Sequence, residues 1–243
     1  MRRLFYRGIL DREIEIEGAD AHHLMHVMRA RCGQTLVIVN AAGTPARMEI
    51  TGFSADAVRL RLVERLAALS EPPVQITLAP CLLKGDKMEL VVQKAVELGA
   101  AAILPIASEN CVVRYDAKKQ AARVLRWQKI ADEAAKQCGR DALVCVGAVQ
   151  PLEDFLQSGR EGKLLFCYEN EERVTLRACL RACDAAAYTL LVGPEGGFSP
   201  REAQMVTAAG GASVTLGPRI LRAETAALAA LAALQYEKGD LGS

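Results

Sequence analysis

The sequence predicts an α/β chain in two parts: a small β-barrel, then a larger domain built on a mostly parallel sheet. Three observations carry this. Up to Arg65 the apolar residues mostly alternate with a period of two, the mark of half-buried strands. From Val74 onward short apolar runs alternate with helical stretches, the pattern of a parallel sheet covered on both faces. Between them stands AALSEPP, whose Pro72-Pro73 is the strongest break in the chain. The expected domains are residues 1–70 and 71–243.

In the first part RRLFY, REIEIE, TLVIVN, ARMEITGF and AVRLRLVER read as five strands, separated by Gly, Asp and Ala-Gly-Thr breaks. One short helix interrupts them over Asp20–Arg31, with Asp20 as its cap and Leu24, Val27 and Met28 on its apolar side. Five strands with so little helix suggest a small barrel closed on itself. In the second part VQITLAP (74–80) is a strand, and GDKMELVVQKAVELG (85–99) a helix stopped by Gly99. AAILPI is a strand, 117–138 a long helix, and KLLFCYE and YTLLVG further strands. SPREAQMVTAAGG is a helix with Ser199 as cap, Pro200 at its first position and Glu202 as reciprocal capping partner. ASVTLG is a strand, and AETAALAALAALQYEK closes the chain as a helix. Its alanines either let a neighbour approach closely or reflect the best helix propensity.

Apolar residues make up 51% of the 243 and charged residues 24%, so a core is affordable and wholesale disorder is excluded. Thirty basic and 29 acidic residues leave a net charge of +1. That excludes a globally basic coat or an acidic tail, but not a local nucleic-acid site. No apolar run approaches the roughly 20 residues of a membrane span, and no secretory segment is evident. Eight cysteines in such a chain read as small apolar side chains in a reducing cytoplasm. No metal is expected: Cys179 and Cys183 lack a nearby histidine, and His22 and His26 share a helix face without an obvious third ligand.

Two glycine-bearing loops each leave a strand and enter a helix. In LLVGPEGGFSPRE (190–202), Gly193, Gly196 and Gly197 let a ligand approach the main chain, at the strand end where open α/β sheets bind ligands. The same glycines also suit a plain tight turn. There is no GxGxxG and no Walker loop, and Glu195 would repel a pyrophosphate, so an adenosine or a cationic ligand fits better. In LGPRILRAETAALAAL (216–231), Arg222, Glu224 and Thr225 sit where a helix begins; Arg222 and Glu224 are either site residues or a surface salt bridge.

Six segments in order — HHLMHVMR, KGDKMELVVQKAVELGAAAILP, SENCVVR, RWQKIADEAAKQCGR, LLVGPEGGFSPRE and LGPRILRAETA — resemble the bacterial 16S rRNA (uracil(1498)-N(3))-methyltransferases, of the SPOUT class. Departures are mild: Cys138 where serine is usual, Lys136 where an acidic residue is common, and Asn110 for a frequent Arg. The resemblance implies a PUA-like β-barrel for RNA binding, an α/β trefoil-knot methyltransferase domain, a homodimer, and S-adenosyl-L-methionine as cofactor. Its RNA partner would be 16S rRNA or the small ribosomal subunit. Leu191, Gly193, Glu195, Gly196, Gly197, Leu216, Gly217, Leu221, Arg222 and Thr225 would then lie at the cofactor.

Chemistry assigns roles within that frame. Uridine N3 is a poor nucleophile until its proton leaves, and the resulting anion spreads charge onto O2 and O4. A guanidinium aimed there stabilises it, which makes Arg222 the catalytic candidate. Glu224 is either a general base, weak at an ordinary carboxylate pKa, or a group that orients Arg222 or contacts RNA or cofactor. RNA candidates are His26 and Arg29 on the short helix, Arg59 and Arg61 on one strand face, Lys84 and Lys87 at a helix N-terminus, and Arg114 and Arg140. For the strand arginines the alternative is a solvated sheet face. Two rivals stand beside this function: ribose 2′-O methylation of tRNA or rRNA on the same fold, and a non-catalytic RNA-binding protein.

Overall fold

The computed structural model describes residues 3–40, 42–68, 70–159 and 162–242. They form two compact units: one of residues up to Glu71 together with Ala135–Leu143, the other of Pro72–Ala134 and Val144 onward.

The first unit holds β1 (Arg3–Tyr6), β2 (Glu13–Glu17), α1 (Gly18–His22), β3 (Thr35–Asn40), β4 (Pro45–Phe53) and β5 (Ala57–Arg65). Arg2 of the first expected strand lies outside the described residues. The strands lie in the order β1-β3-β4-β5-β2, with β1 parallel to β3 and the other neighbours antiparallel. Among the described residues β1 has no rungs to β2, so the sheet curls into a half-barrel where closure was expected. Its concave side is filled by Leu4, Ile38, Met48 and Leu60, with Ala21 and Leu24 supplied by the helix.

That helix departs from expectation. It starts at Gly18 after extended Glu17, and Asp20 lies in its first turn, bonded to Lys136 at 2.7 Å, with no side chain capping the end. His23–Val27 continue it as a π-helical turn, in which the Met28 N–H donates to the His23 carbonyl at 2.9 Å. The wider ring swings later residues off a 3.6-residue stripe. Leu24 is buried as predicted, while Val27 is 64% exposed and Met28 is exposed too.

The returning segment Ala135–Leu143 is tied into this unit by buried charge. Asp141, fully buried, ion-pairs with Arg3 and accepts from the Ser70 hydroxyl (2.8 Å) and N–H (3.1 Å). Removing one member of a buried pair costs about 3–5 kcal/mol, because the other charge is left without compensation. Asp141→Ala should therefore lower unfolding free energy in urea by about 3 kcal/mol; a loss below about 1 kcal/mol would show the pair to be structurally idle.

The second unit contains β6 (Gln75–Pro80), α2 (Lys87–Glu97), β7 (Ala102–Ile103), β8 (Ile106–Ala107), most of α3 (Ala117–Cys138), β9 (Cys145–Val146), β10 (Gln150–Pro151) and α4 (Leu152–Gln157). It continues with β11 (Lys163–Cys167), α5 (Leu176–Ala182), β12 (Ala187–Val192), α6 (Pro200–Ala208), β13 (Ala212–Val214) and α7 (Ala223–Lys238). The six-stranded sheet runs β13-β11-β12-β6-β7-β9, parallel throughout. Central strands β6 and β12 are buried along most of their length, as near-continuous apolar runs require. Gly99, at φ +83, ends α2 in the left-handed conformation expected of a helix-stopping glycine. Ala227, Ala230, Leu231 and Leu234 of α7 are buried, and the helix lies on α2, α5, β6 and β12. Its small side chains thus serve close packing. No helix among the described residues is long and apolar enough to cross a membrane.

Candidate functional site

β11, β12 and β13 end side by side, and a cavity of about 720 Å³ opens at their carboxyl ends. Its walls are the loop after β12, the loop between β13 and α7, the residues just after β11, and Lys84 and Lys87 at the start of α2. All belong to the second unit. Of the predicted cofactor residues, Gly193, Glu195, Gly196, Gly197, Leu216, Gly217, Leu221 and Arg222 line it. Leu191 and Thr225 do not. Leu191 is fully buried inside β12, one residue short of the cavity, and Thr225 is exposed on α7 while Ala223 and Ala226 face the space.

The sequence builds this loop geometry locally. Ser199 accepts from the Glu202 N–H at 3.2 Å and Glu202 accepts from the Ser199 N–H at 2.9 Å, the predicted capping box. The other oxygen of the buried Glu202 accepts from the Glu109 N–H at 2.8 Å. Asn110 then donates to the carbonyls of Gly196 (3.3 Å) and Gly197 (3.2 Å). The 108–111 segment therefore braces the glycine loop from behind, a role the sequence did not disclose. Ser199→Ala should cost about 1 kcal/mol of stability, measured by chemical denaturation. Gly197 has φ +67, and Gly217 has φ +120 with no atom within 4 Å of where a Cβ would stand. The main chain at Gly217 is open to close approach by a ligand.

Charge in the site centres on Lys87. Its Nζ lies 3.4 Å from Glu195 Oε1 and 3.1 Å from Glu224 Oε2. Glu195 Oε1 also accepts from the Lys84 N–H at 3.2 Å, while its Oε2 is buried without a hydrogen-bond partner. The Glu224 carboxylate beside it raises the Lys87 pKa above the lysine range, against the opposing pull of burial and with help from Glu195. Burial pushes Glu224 up, but its own backbone N–H, Lys87 and Arg222 outweigh that and hold it below the usual carboxylate range. A depressed carboxyl pKa favours folding above the ordinary value of about 4.3, and the benefit is lost as pH falls through the lowered value. The Lys87–Glu224 pair should survive at pH 5 and break only below the ordinary carboxylate value, as followed by the carboxyl ¹³C shift of Glu224; titration at pH 5 or above would contradict it.

Glu224 is not in the cavity lining; its carboxylate contacts Lys87, which is. Lys84 and Lys87, expected to face RNA phosphate, line the cavity instead. Cys167, at the end of β11, and Tyr168 and Glu169 after it also line the cavity and were missed; no glycine or charge pattern marks KLLFCYE.

The RNA candidates fall elsewhere. On the exposed face of β5, Arg59 is 3.9 Å from Glu15, Arg61 is 3.0 Å from Glu49, and Arg47 pairs with Glu64. The face is an alternating ladder of opposite charges, closer to the solvated-sheet alternative than to a basic patch. Arg140 is only 5% exposed and bonded to Glu71, so its side chain is turned inward. His26, Arg29 and Arg114 are exposed; Arg114 donates to the Glu109 carbonyl at 3.2 Å. Among the described residues no cluster of His, Cys, Asp and Glu could hold a metal.

Residues 70–235 match the family described as RNA methyltransferase domain, and residues 16–63 the RNA methyltransferase PUA domain. Ribosomal RNA small subunit methyltransferase E of Bacillus subtilis is 35% identical, over 91% of this chain and 89% of its own length. This chain belongs to the ribosomal RNA small subunit methyltransferase E family. A second member, from Mycobacterium bovis, is 32% identical over 90% of this chain and 84% of its own length. Two solved structures share the fold of the family closely. One is ribosomal RNA small subunit methyltransferase E of Neisseria gonorrhoeae bound to S-adenosyl methionine: TM-score 0.86, 31% identity, 97% of each chain. The other is a methyltransferase from Legionella pneumophila with SAM as bound cofactor: TM-score 0.86, 31% identity, 96% of each chain. Membership assigns the half-barrel to the PUA-like class and the parallel-sheet unit to the SPOUT-type methyltransferases.

Proposed function

We propose that this chain transfers a methyl group from S-adenosyl-L-methionine to N3 of uridine 1498 in 16S rRNA. The observation that carries the reading is the cavity between two glycine loops with Arg222 on its wall. The residues present fit the cofactor: open main chain at Gly217, apolar Leu216 and Leu221, and a buried, unpartnered Glu195 oxygen beside them. Gly193, Gly196, Gly197, Leu216, Gly217 and Leu221 would hold it, with Glu195 as a polar support. S-adenosyl-L-methionine supplies an electrophilic methyl on a sulfonium.

The chain's own residues handle the uridine. The guanidinium of Arg222 takes the charge that reaches O2 or O4 when N3 loses its proton. Glu224, held ionised by Lys87, positions that lysine and does not take the proton. The N3 proton therefore passes to solvent, and the methyl-transfer rate should climb with pH through the range 7–9. A rate that levels off above about pH 5 would instead identify a carboxylate base.

Family membership supports a homodimer working in the cytoplasm on 16S rRNA or the small subunit. His26, Arg29 and Arg114, exposed and basic or titratable, are the proposed RNA contacts of those considered. Incubation with unmodified small subunits and nucleoside mapping of the product tests the function; a ribose 2′-O-methyl product would favour the rival activity, and no product the non-catalytic reading.

A further inference from the structure

We infer that Lys87 sets the charge of the pocket wall and thereby the preference for methyl donor over demethylated product. The inference rests on the methyl-donor reading of the cavity. Two carboxylates, Glu195 and Glu224, meet one ammonium, so the three groups together carry one net negative charge. Their side chains are mostly buried, at 25%, 18% and 14% exposure for Lys87, Glu195 and Glu224. The other charged residues of the lining, Lys84, Glu169, Arg219 and Arg222, are exposed, so Lys87 and Glu195 are the half-buried charges of the wall. S-adenosylmethionine carries one more positive charge than S-adenosylhomocysteine, because loss of the methyl turns a sulfonium into a neutral thioether. Each negative charge near the pocket favours the donor over the product and each positive charge opposes it, so Lys87 lowers the preference for donor that Glu195 and Glu224 create; both carboxylates keep a buried oxygen without a hydrogen-bond partner.

Lys87 also joins the two halves of the site. Glu195 belongs to the loop after β12, Glu224 to the first turn of α7, and Lys87 to the first turn of α2. Replacing it loosens both loops, which weakens donor and product alike. Its charge acts differently, on their ratio.

The experiment is calorimetric titration of S-adenosylmethionine and S-adenosylhomocysteine into the full-length protein and three variants. In Lys87→Met the ratio Kd(product)/Kd(donor) should rise about five- to tenfold, the scale of one unit charge several ångströms away at an effective dielectric between protein and water. In Glu195→Gln one negative charge is lost and the ratio should fall by a similar factor. Lys87→Arg keeps the charge and should keep the ratio. A purely structural lysine predicts that both affinities fall together in Lys87→Met and the ratio stays put; that result overturns the inference. Should Lys87→Met fail to fold, Lys87→Gln, which also removes the charge, is titrated in its place with the same expected and overturning results. Failure of the wild-type protein to bind either ligand would instead remove the methyl-donor reading itself.

Discussion

Arg222→Ala is expected to cut methyl transfer by about 10²–10³-fold in kcat while leaving the fold intact. The size follows from the chemistry: an oxyanion-type stabiliser in a partly enclosed site contributes most in the transition state, where the uridine ring carries its extra charge. Arg222 can be removed cheaply from the folded state. It is exposed, and its structural duty is done by main chain, since its carbonyl accepts the Ala226 N–H at 2.8 Å as the cap of α7. Circular dichroism and the unfolding midpoint should match the wild type. Lys in its place should recover little, because one ammonium lacks the planar, multi-donor geometry of guanidinium. Turnover within about threefold of wild type would take Arg222 out of the mechanism.

Gly217→Val should abolish useful cofactor binding, raising the donor Kd by at least about 30-fold, roughly 2 kcal/mol. Two effects add. A backbone at φ +120 is one that a β-branched residue does not adopt, so the loop between β13 and α7 must rearrange. Any side chain there would also project from a residue that lines the cavity, into space now clear within 4 Å. Because that space is empty, folding of the unliganded protein should suffer far less than binding. An unchanged Kd would mean the ligand does not approach this loop.

Much of the fold was legible because its elements carry strong local signals. The helices at about 117–138 and at 223–238 are both legible in the sequence, the second with Arg222 and Glu224 at its start. The capping box at Ser199 was readable from three side chains. Strands β9 and β10, two residues each, are too short to show any period, and the helices at 152–157 and 176–182 nearly so. The π-helical turn at His23–Val27 is invisible for another reason: it breaks the 3.6-residue period that would place Val27 and Met28 on the buried side.

The site divides along the same line. Glycines advertise themselves in sequence, and eight of ten predicted cofactor positions line the cavity. Lys87 did not, since it lies more than a hundred residues from Glu195 and Glu224, and only the tertiary fold joins them. The pairing of the half-barrel arginines was hidden for the converse reason. Strand alternation puts Arg59 and Arg61 outward, but the cross-strand register that sets Glu15 and Glu49 beside them is a property of the sheet. Net charge could not reveal this either: the +1 total hides opposite charges paired at short range.

The most direct test is the position of the transferred methyl group. Small ribosomal subunits lacking the modification would be incubated with the protein and isotopically labelled S-adenosyl-L-methionine, and the 16S rRNA digested and mapped. The expected product is a single labelled 3-methyluridine, at uridine 1498, formed about 10²–10³-fold more slowly by the Arg222→Ala variant. Label on a ribose oxygen, on another base, or on no nucleotide of 16S rRNA would contradict it.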